Sequence, residues 1–317
     1  MSHPVSRRHG GPRPGVGERR RWLHGLIGLL WLVLTPFAAA EERKDPRVPP
    51  GRDPGGVAVA LLSSGIDYTV PEIANRLARD GEGEIIAWDF IDNDNRPFDV
   101  TGRQTPPNRG GNATDLVAYM ANAVARSRAR IVLVRADPAD PATLARAVAF
   151  VARTPARVVA VPMWSDRVED WALFRQAASH YKQLLFVVAA GDGGRDIDLE
   201  PLWPAAFKLP NVLVVTSAIP HGEEPGGIQV IGNRGVATVD AAVTVTEVQT
   251  RAGTATASLG SGFAVAEAAG YAACLAQMDV RADGATLKQK VLASGRPADA
   301  SLAARHALTS AACVTRN

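Results

Sequence analysis

The stretch that decides the fold of this 317-residue chain is Gly260-Ser261-Gly262-Phe263-Ala264-Val265-Ala266-Glu267-Ala268-Ala269-Gly270. Its first three positions indicate a tight glycine turn, and the alanine-rich sequence that follows indicates a helix. The beginning of a helix presents unpaired backbone N–H groups and the positive end of the helix dipole, a setting that stabilises developing negative charge. The stretch therefore has the form of a catalytic turn, but Gly262 offers no side chain that could act as a nucleophile.

Upstream of this turn, apolar runs bounded by turn residues predict buried strands. These runs are residues 57–62, 84–87, 131–134, 158–161, 184–190 and 212–215. Helical patterns cover residues 114–126, 141–153, 168–181 and 262–278. Strands that alternate with helices predict a three-layer, doubly wound α/β domain with a mostly parallel central sheet. In such a domain functional groups gather at the carboxyl ends of the strands, which here are Ser63, Asp137, Trp164 and Asp192.

Residues 1–40 predict an export signal. Six arginines precede or border an apolar run at 26–34, and Ala38-Ala39-Ala40 offers a small-residue cleavage site. The run is shorter than the roughly 20 residues of a membrane span, so we expect cleavage after Ala40 and a periplasmic or secreted protein. An uncleaved N-terminal anchor and twin-arginine export remain alternatives. Residues 41–56 predict a flexible linker, and residues 57–312 predict one domain that ends in a helical tail.

The composition bounds the class of protein. With 46% hydrophobic and 21% charged residues, the chain is typical of a globular protein. Residues 1–40 hold six of the 35 basic and one of the 32 acidic side chains, which leaves 29 basic and 31 acidic side chains in the remainder. This near balance gives no reason to expect a nucleic-acid partner.

Two cysteines, Cys274 and Cys313, are present. In an oxidising compartment they could join the C-terminal tail to the helix that begins near Gly262. Two separate buried thiols are the alternative.

Three stretches occur in a significant order: Val59-Ala60-Leu61-Leu62-Ser63-Ser64-Gly65-Ile66-Asp67, then Asn112-Ala113-Thr114-Asp115-Leu116-Val117, then the turn at 260–270. In that order they resemble the motifs of the subtilisin-like serine proteases, or subtilases: V-A-V-[IL]-D-[ST]-G-[IV]-D, H-G-T-x-V-A and G-T-S-M-A-x-P-H-V-A-G. The resemblance implies a subtilisin-like fold. It puts Ser63, Asn112 and Gly262 at the positions of the catalytic aspartate, histidine and serine.

Further segments resemble the same family. Phe186-Val187-Val188-Ala189-Ala190-Gly191-Asp192 is similar to the segment whose asparagine helps to hold the oxyanion, and Asp192 replaces that asparagine. The strand that lines the main specificity pocket in the family corresponds to residues 161–166. The resemblance implies that Met163, Trp164 and Ser165 lie in the former substrate cleft, and the Trp164 ring is large enough to fill it.

These substitutions remove the roles on which the triad depends. A triad histidine takes the serine proton while the aspartate holds the imidazole in place. Asn112 cannot act as that base, Gly262 cannot attack a carbonyl, and Ser63 has no charge with which to orient an imidazole. Asp192 would present a negative charge to a developing oxyanion, unless an apolar site keeps its carboxyl group protonated.

Other residues do not restore these roles. Ser261 and Ser258 flank the turn, but a serine without an adjacent base is a weak nucleophile. The histidines beyond residue 40 lie outside the motifs quoted above, at His180, His221 and His306. The acidic run at 92–95 lacks the downstream glutamate of a helix-loop-helix calcium site, so we expect a solvated loop, no metal and no cofactor.

The sequence therefore predicts an exported, catalytically inactive subtilisin-like domain that acts as a binding or regulatory module for an unidentified protein or peptide. Its interaction surface would be the former cleft around Trp164, Asp192 and Gly262. A serine endopeptidase with a rearranged site, using Ser261 or Ser258, is one alternative. A degenerate relative without a dedicated ligand is another.

Overall fold

The computed structural model of the protein describes residues 45–98, 113–222, 227–245, 248–250, 253–255, 260–298 and 304–308. Several predicted features lie outside these residues, namely the export signal at 1–40, Asn112, Ser258 and Cys313.

The strands of the described chain are β1 (Ala58–Ser63), β2 (Ala87–Asp89), β3 (Arg130–Arg135), β4 (Ala156–Val161), β5 (Leu185–Ala189), β6 (Val212–Pro220), β7 (Ile228–Val230), β8 (Ala241–Thr244), β9 (Val248–Thr250), β10 (Gly253–Ala255), β11 (Arg296–Pro297) and β12 (His306–Leu308). Ten of them form one sheet in the order β11-β12-β8-β6-β5-β4-β1-β3-β2, with β7 paired to β6. The pairs from β2 across to β12 are parallel, whereas β7 and β11 run antiparallel to their neighbours. The predicted mostly parallel central sheet is confirmed.

The helices of the described chain are α1 (Pro71–Ala74), α2 (Ala113–Arg126), α3 (Pro141–Val151), α4 (Val168–His180), α5 (Ser261–Met278) and α6 (Gly284–Ser294). Two of them begin at an aspartate that accepts hydrogen bonds from the first backbone N–H groups. Asp140 caps α3 and Asp283 caps α6, as expected because these N–H groups have no partner within the helix. Gly260, at the beginning of α5, has no side chain with which to cap that helix.

Apolar side chains cover both faces of the sheet, which explains why its strands read as continuous hydrophobic runs. One core joins the sheet to α2, α5 and α6 and includes Val59, Met120 and Leu287. The other joins the opposite face to α3 and α4 and includes Trp171 and Phe174. The domain therefore has three layers, and α5 packs along the middle of one face.

The C-terminal region differs from the helical tail that the sequence predicted. After α5, the chain forms α6 and then two strands, and β12 adds to the main sheet as a parallel neighbour of β8. The prediction was wrong here because β12 is only three residues long and its place depends on pairing with distant residues rather than on local propensity. The strand expected at 84–87 lies at Ala87–Asp89.

The described part of the predicted linker contacts the domain. The Asp53 carboxylate accepts the backbone N–H of Arg79 at 2.7 Å and pairs with Arg130 at 2.5 Å. The Tyr68 hydroxyl donates to the carbonyl of Pro46 at 2.6 Å. The Asp53 bonds lie at the edge where β3 begins, whereas Tyr68 lies beyond the end of β1, so the segment is held at both ends of the strands. None of the helices in the described ranges combines the length and the apolar character that a membrane span requires.

Candidate functional site

The carboxyl edge of the sheet carries the residues that the sequence singled out. Ser63 is the last residue of β1, and Asp192 lies in the loop that follows β5. Because β1, β4 and β5 are neighbours in the sheet, these two positions are separated by two strand spacings, about 10 Å. The glycine turn at the beginning of α5 lies at the same edge, since it contacts Asp192 directly.

The carboxylate of Asp192 occupies the beginning of α5. Its Oδ1 atom accepts a hydrogen bond of 2.8 Å from the backbone N–H of Ser261, the first residue of the helix. A Cβ atom on Gly260 would lie 2.6 Å from the Asp192 Oδ2 atom, so only glycine leaves room for the carboxylate. Asp192 thus caps α5 from another loop, in place of the side chain that Gly260 lacks.

Burial sets the protonation behaviour of this carboxyl group. Desolvation raises the pKa of Asp192 above its usual value, and the backbone and hydroxyl of Ser261 oppose that rise without cancelling it. The Ser261 hydroxyl is itself buried and lacks hydrogen-bond geometry to any described residue. An anion already present at this helix terminus repels a second one.

The loop that carries Asp192 is fixed by Asn233, a residue that the sequence analysis did not place among the site residues. The Asn233 side chain is fully buried; its Nδ2 donates to the carbonyl of Ala190 at 3.0 Å, and its Oδ1 accepts the N–H of Arg195 at 2.9 Å. Gly191 lies between these anchors at φ +85°. The run Gly232-Asn233-Arg234-Gly235, which resembles the S-N-x-G motif of the subtilases, is the sequence signal that could have identified it.

The three residues predicted in the former cleft line the same region. Trp164 is half-buried and packs against both cores, and its indole nitrogen lies 3.1 Å from where a Cβ on Gly191 would be. Met163 packs against the core that contains α3 and α4. Ser165 exchanges two backbone hydrogen bonds with Trp203, at 3.0 and 2.9 Å. The Trp164 ring therefore lies beside the loop that carries Asp192.

Ser63 is held by local contacts. It is 3% exposed, and its hydroxyl accepts the N–H of Gly65 at 3.3 Å. Its carbonyl accepts the N–H of Ala136, which links the end of β1 to the residue after β3. A neutral hydroxyl in this position can accept or donate a hydrogen bond but cannot stabilise a neighbouring cation as a carboxylate would. Asn112, the predicted counterpart of the catalytic histidine, lies outside the described residues.

The histidines beyond residue 40 lie away from this edge. His180 ends α4 next to the beginning of β5, and His306 begins β12, level with the first residue of β8. Both therefore lie at the amino edge of the sheet. His221 follows β6 and is exposed. Val215 is level with the end of β5, and the six residues from there to His221 extend roughly 20 Å beyond the edge.

Two further observations complete the site. Ser261, the serine next to Gly262, has an exposed fraction of 0%, whereas a nucleophile must be reachable by its substrate. Among the residues that the structure describes, no group of three or more histidine, cysteine or acidic side chains is arranged to hold a metal ion.

The fold and the arrangement of this edge define the class of structure: the chain has a subtilisin-like fold. Solved structures with this fold include the subtilase cytotoxin SubAB, at a TM-score of 0.62 and 17% identity over 83% of this chain and 90% of that chain. A cold-adapted subtilisin-like serine proteinase is similar at 0.56 and 20%, over 82% and 90% of the two chains. MycP1 from Mycobacterium smegmatis is similar at 0.56 and 19%, over 83% and 80%.

Similarity over most of the chain is found in structure. No protein-family model matches the chain, and no curated protein matches it. At identities of 17 to 20% the comparisons establish the fold, whereas activity has to be argued from the residues of the site.

Proposed function

We propose that this chain is an exported, catalytically inactive subtilisin-like domain that works as a peptide-binding or regulatory module, with the former substrate cleft as its binding surface. The observation that carries the proposal is the Asp192 carboxylate bound to the first N–H of α5. In a working acyl-transfer site this region must receive a developing oxyanion. Here it already holds a carboxylate, while Gly262 supplies no nucleophile.

The surroundings of the cleft support the same proposal. Ser261 is buried and its hydroxyl has no hydrogen-bond partner among the described residues. His180 and His306 lie at the opposite edge of the sheet, so neither can act as a base for this serine. Hydrolysis requires both groups within hydrogen-bonding reach of each other. Trp164 and Met163, by contrast, offer apolar and aromatic surface beside the polar Ser165, the composition expected of a binding site.

A serine endopeptidase with a rearranged site is the second candidate. What favours it is that solved structures with the same fold include a serine proteinase. Because Ser261 is buried, the nucleophile of such an endopeptidase would have to be Ser258. The two candidates differ in whether an extended peptide bound in the cleft is cut.

One experiment separates them. The chain from residue 41 onwards is mixed with fluorescein-labelled β-casein, an unstructured protein, and both anisotropy and release of labelled fragments are followed. We expect saturable binding, no fragments, and no labelling of the domain by an active-site serine probe. Fragment release that is lost when Ser258 or Ser261 is replaced by alanine would establish the endopeptidase. Absence of binding would refute the module.

A matched pair of tryptophan variants locates the binding surface. Trp164→Ala removes the half-buried ring beside Gly191, whereas Trp88→Ala removes a half-buried ring on β2, at the far edge of the sheet. We expect Trp164→Ala to weaken casein binding about tenfold, because truncating a central aromatic anchor costs 1 to 2 kcal/mol or more. Equal binding by both variants would place the surface elsewhere. Thermal unfolding of each variant reports whether it is folded.

A further inference from the structure

A cavity of about 370 Å³ opens at the amino edge of the sheet, opposite the former cleft. It lies where β6, β8 and β12 begin, and the first turn of α6 lines one side. About six residues of extended chain separate the level of Val212 from that of Asp192, which corresponds to roughly 20 Å. The cavity is therefore separate from the surface discussed above, and inferences about the two are independent.

Three cations and one carboxylate line this cavity: Lys208, Lys288, Arg305 and Asp240. The carboxylate is already engaged. Asp240 is 1% exposed; its Oδ2 accepts the backbone N–H of Val214 and pairs with Lys288, each at 2.8 Å, while its Oδ1 pairs with Arg305. One carboxylate against three cations leaves a surplus of two positive charges around the cavity.

Lys288 has binding capacity left over. Its ammonium group donates to the carbonyl of Val212 at 2.6 Å and pairs with Asp240, which accounts for two of its three N–H donors among the described residues. The side chain is 11% exposed, so water can satisfy the third donor only from the cavity that the residue lines. A buried ammonium group with a spare donor favours an acceptor of opposite charge.

The other cations approach from the open side. Lys208 is exposed and adopts the left-handed conformation at φ 52°, directly after the short 3₁₀ turn Ala205–Phe207. Arg305 is also exposed, and only part of its guanidinium is used by Asp240. Ala285 and Thr286, in the first turn of α6, line the same cavity, but Asp283 already caps this helix through the N–H of Thr286, so the cations and not the helix end would bind a ligand there. Compact oxyanions are the ligands that such an arrangement stabilises best.

We propose that this cavity binds a small phosphate-type oxyanion, either inorganic phosphate or the phosphate group of a small phosphomonoester. Lys288 holds the anion from inside, and Lys208 and Arg305 close over it from the rim. A volume of about 370 Å³ accommodates a small organic group beside the phosphate.

Titration calorimetry of the chain from residue 41 onwards tests this proposal with inorganic phosphate and with glycerol 3-phosphate, against chloride at matched ionic strength. Lys208→Ala is the informative variant because the side chain is exposed and no core contact depends on it. Lys290→Ala is its control, because it also removes one lysine charge. Lys290 lies on α6, pairs with Asp279 and does not line the cavity. We expect saturable binding that Lys208→Ala weakens about tenfold and Lys290→Ala leaves unchanged.

A second variant, Arg305→Lys, keeps the charge but loses the planar fork, and we expect it to weaken binding several-fold with little loss of fold. Vesicles of phosphatidic acid distinguish a lipid headgroup from a free phosphomonoester. Binding of the soluble phosphates that Lys208→Ala weakens and Lys290→Ala does not supports the cavity site, whether or not vesicles also bind. The proposal is overturned if neither soluble phosphate binds, if only vesicles bind, or if both lysine variants weaken binding equally.

Discussion

The Oδ1 atom of Asp192 accepts a hydrogen bond of 2.8 Å from the backbone N–H of Ser261, so a carboxylate caps the helix at which a subtilisin-like protease would hold its oxyanion. The same group is penalised by burial, which raises its pKa. Asp192 therefore has two opposed effects: it satisfies a helix N–H group, and it carries a charge into a poorly solvated place. Replacing it separates these effects.

Asp192→Asn keeps an oxygen acceptor for Ser261 but removes the charge, whereas Asp192→Ala removes both. We expect the alanine variant to lose about 1 to 2 kcal/mol of unfolding free energy, because a buried N–H group is left without a partner. The asparagine variant should lose less. Denaturant unfolding of both variants at about pH 7 measures the difference. Equal losses in the two variants would mean that the hydrogen bond to Ser261 contributes nothing.

The pH dependence of the same pair follows from linkage. Because the folded-state pKa of Asp192 is raised above its usual 3.8, the folded protein binds this proton more tightly than the unfolded chain does. Wild-type protein therefore loses stability as pH rises from below 3.8 through the raised value, and loses none from this group above it. We expect the stability of Asp192→Asn relative to wild type to rise over that window. Asp166→Asn makes the same chemical change at an exposed position and controls for the general effect of removing one carboxylate.

Gly191 is expected to tolerate no side chain. Its φ of +85° is unfavourable for other residues, and a Cβ would lie 2.8 Å from the Asn233 amide and 2.9 Å from Leu202. Gly191→Ala should therefore lose about 3 kcal/mol of unfolding free energy, from backbone strain and overpacking together. Gly194→Ala, at φ +71° in open space, should lose only about 1 kcal/mol. A loss no greater than that of the control would show that the loop after β5 can move.

The buried strands were predictable from sequence because each is covered on both faces, so its own residues form a continuous hydrophobic run. The position of Asp192 at the carboxyl edge of the sheet was also predictable, because it follows such a strand. What local sequence does not contain is the partner of each group. That Asp192 caps α5 depends on contact between residues 69 positions apart, and β12 forms a strand only because β8 lies beside it.

Buried charge is the clearest case of this limit. Glu267 lies in the most apolar stretch of α5 and is 6% exposed, yet nothing near it in sequence compensates its charge. Its partner is Arg126 at the end of α2, 141 residues away. The amphipathic pattern of α2 predicts its buried face, whereas α5 is apolar and buried on nearly all sides. The ion pair between the two helices arises only when they pack.

Arg126 and Glu267 should therefore be strongly coupled. The guanidinium donates to both carboxylate oxygens, at 2.5 and 2.7 Å, and remains 46% exposed. Arg126→Met leaves a buried carboxylate unpaired, and we expect a loss of about 2 kcal/mol, below the full cost of an isolated buried charge because water still reaches the site. Adding Glu267→Met to that variant should recover part of the loss. A double-mutant cycle from denaturant unfolding measures the coupling, and additive losses would contradict it.

Lys288 should make the domain more stable in mildly alkaline solution. Desolvation lowers its pKa to about 8 from an ordinary 10.5, so the unfolded chain binds this proton more tightly than the folded protein does. Stability contributed by this group therefore rises with pH between about 8 and 10.5. The free energy of unfolding rises by up to about 3 kcal/mol over this range. The gain is smaller if deprotonation of Lys288 also removes a stabilising ion pair with Asp240. Lys288→Met removes the titrating group, so the difference in unfolding free energy between wild type and this variant isolates it from other lysines and tyrosines. A difference that is constant from about pH 7 to about pH 10 would mean that Asp240 holds Lys288 charged throughout, as a buried ion pair can.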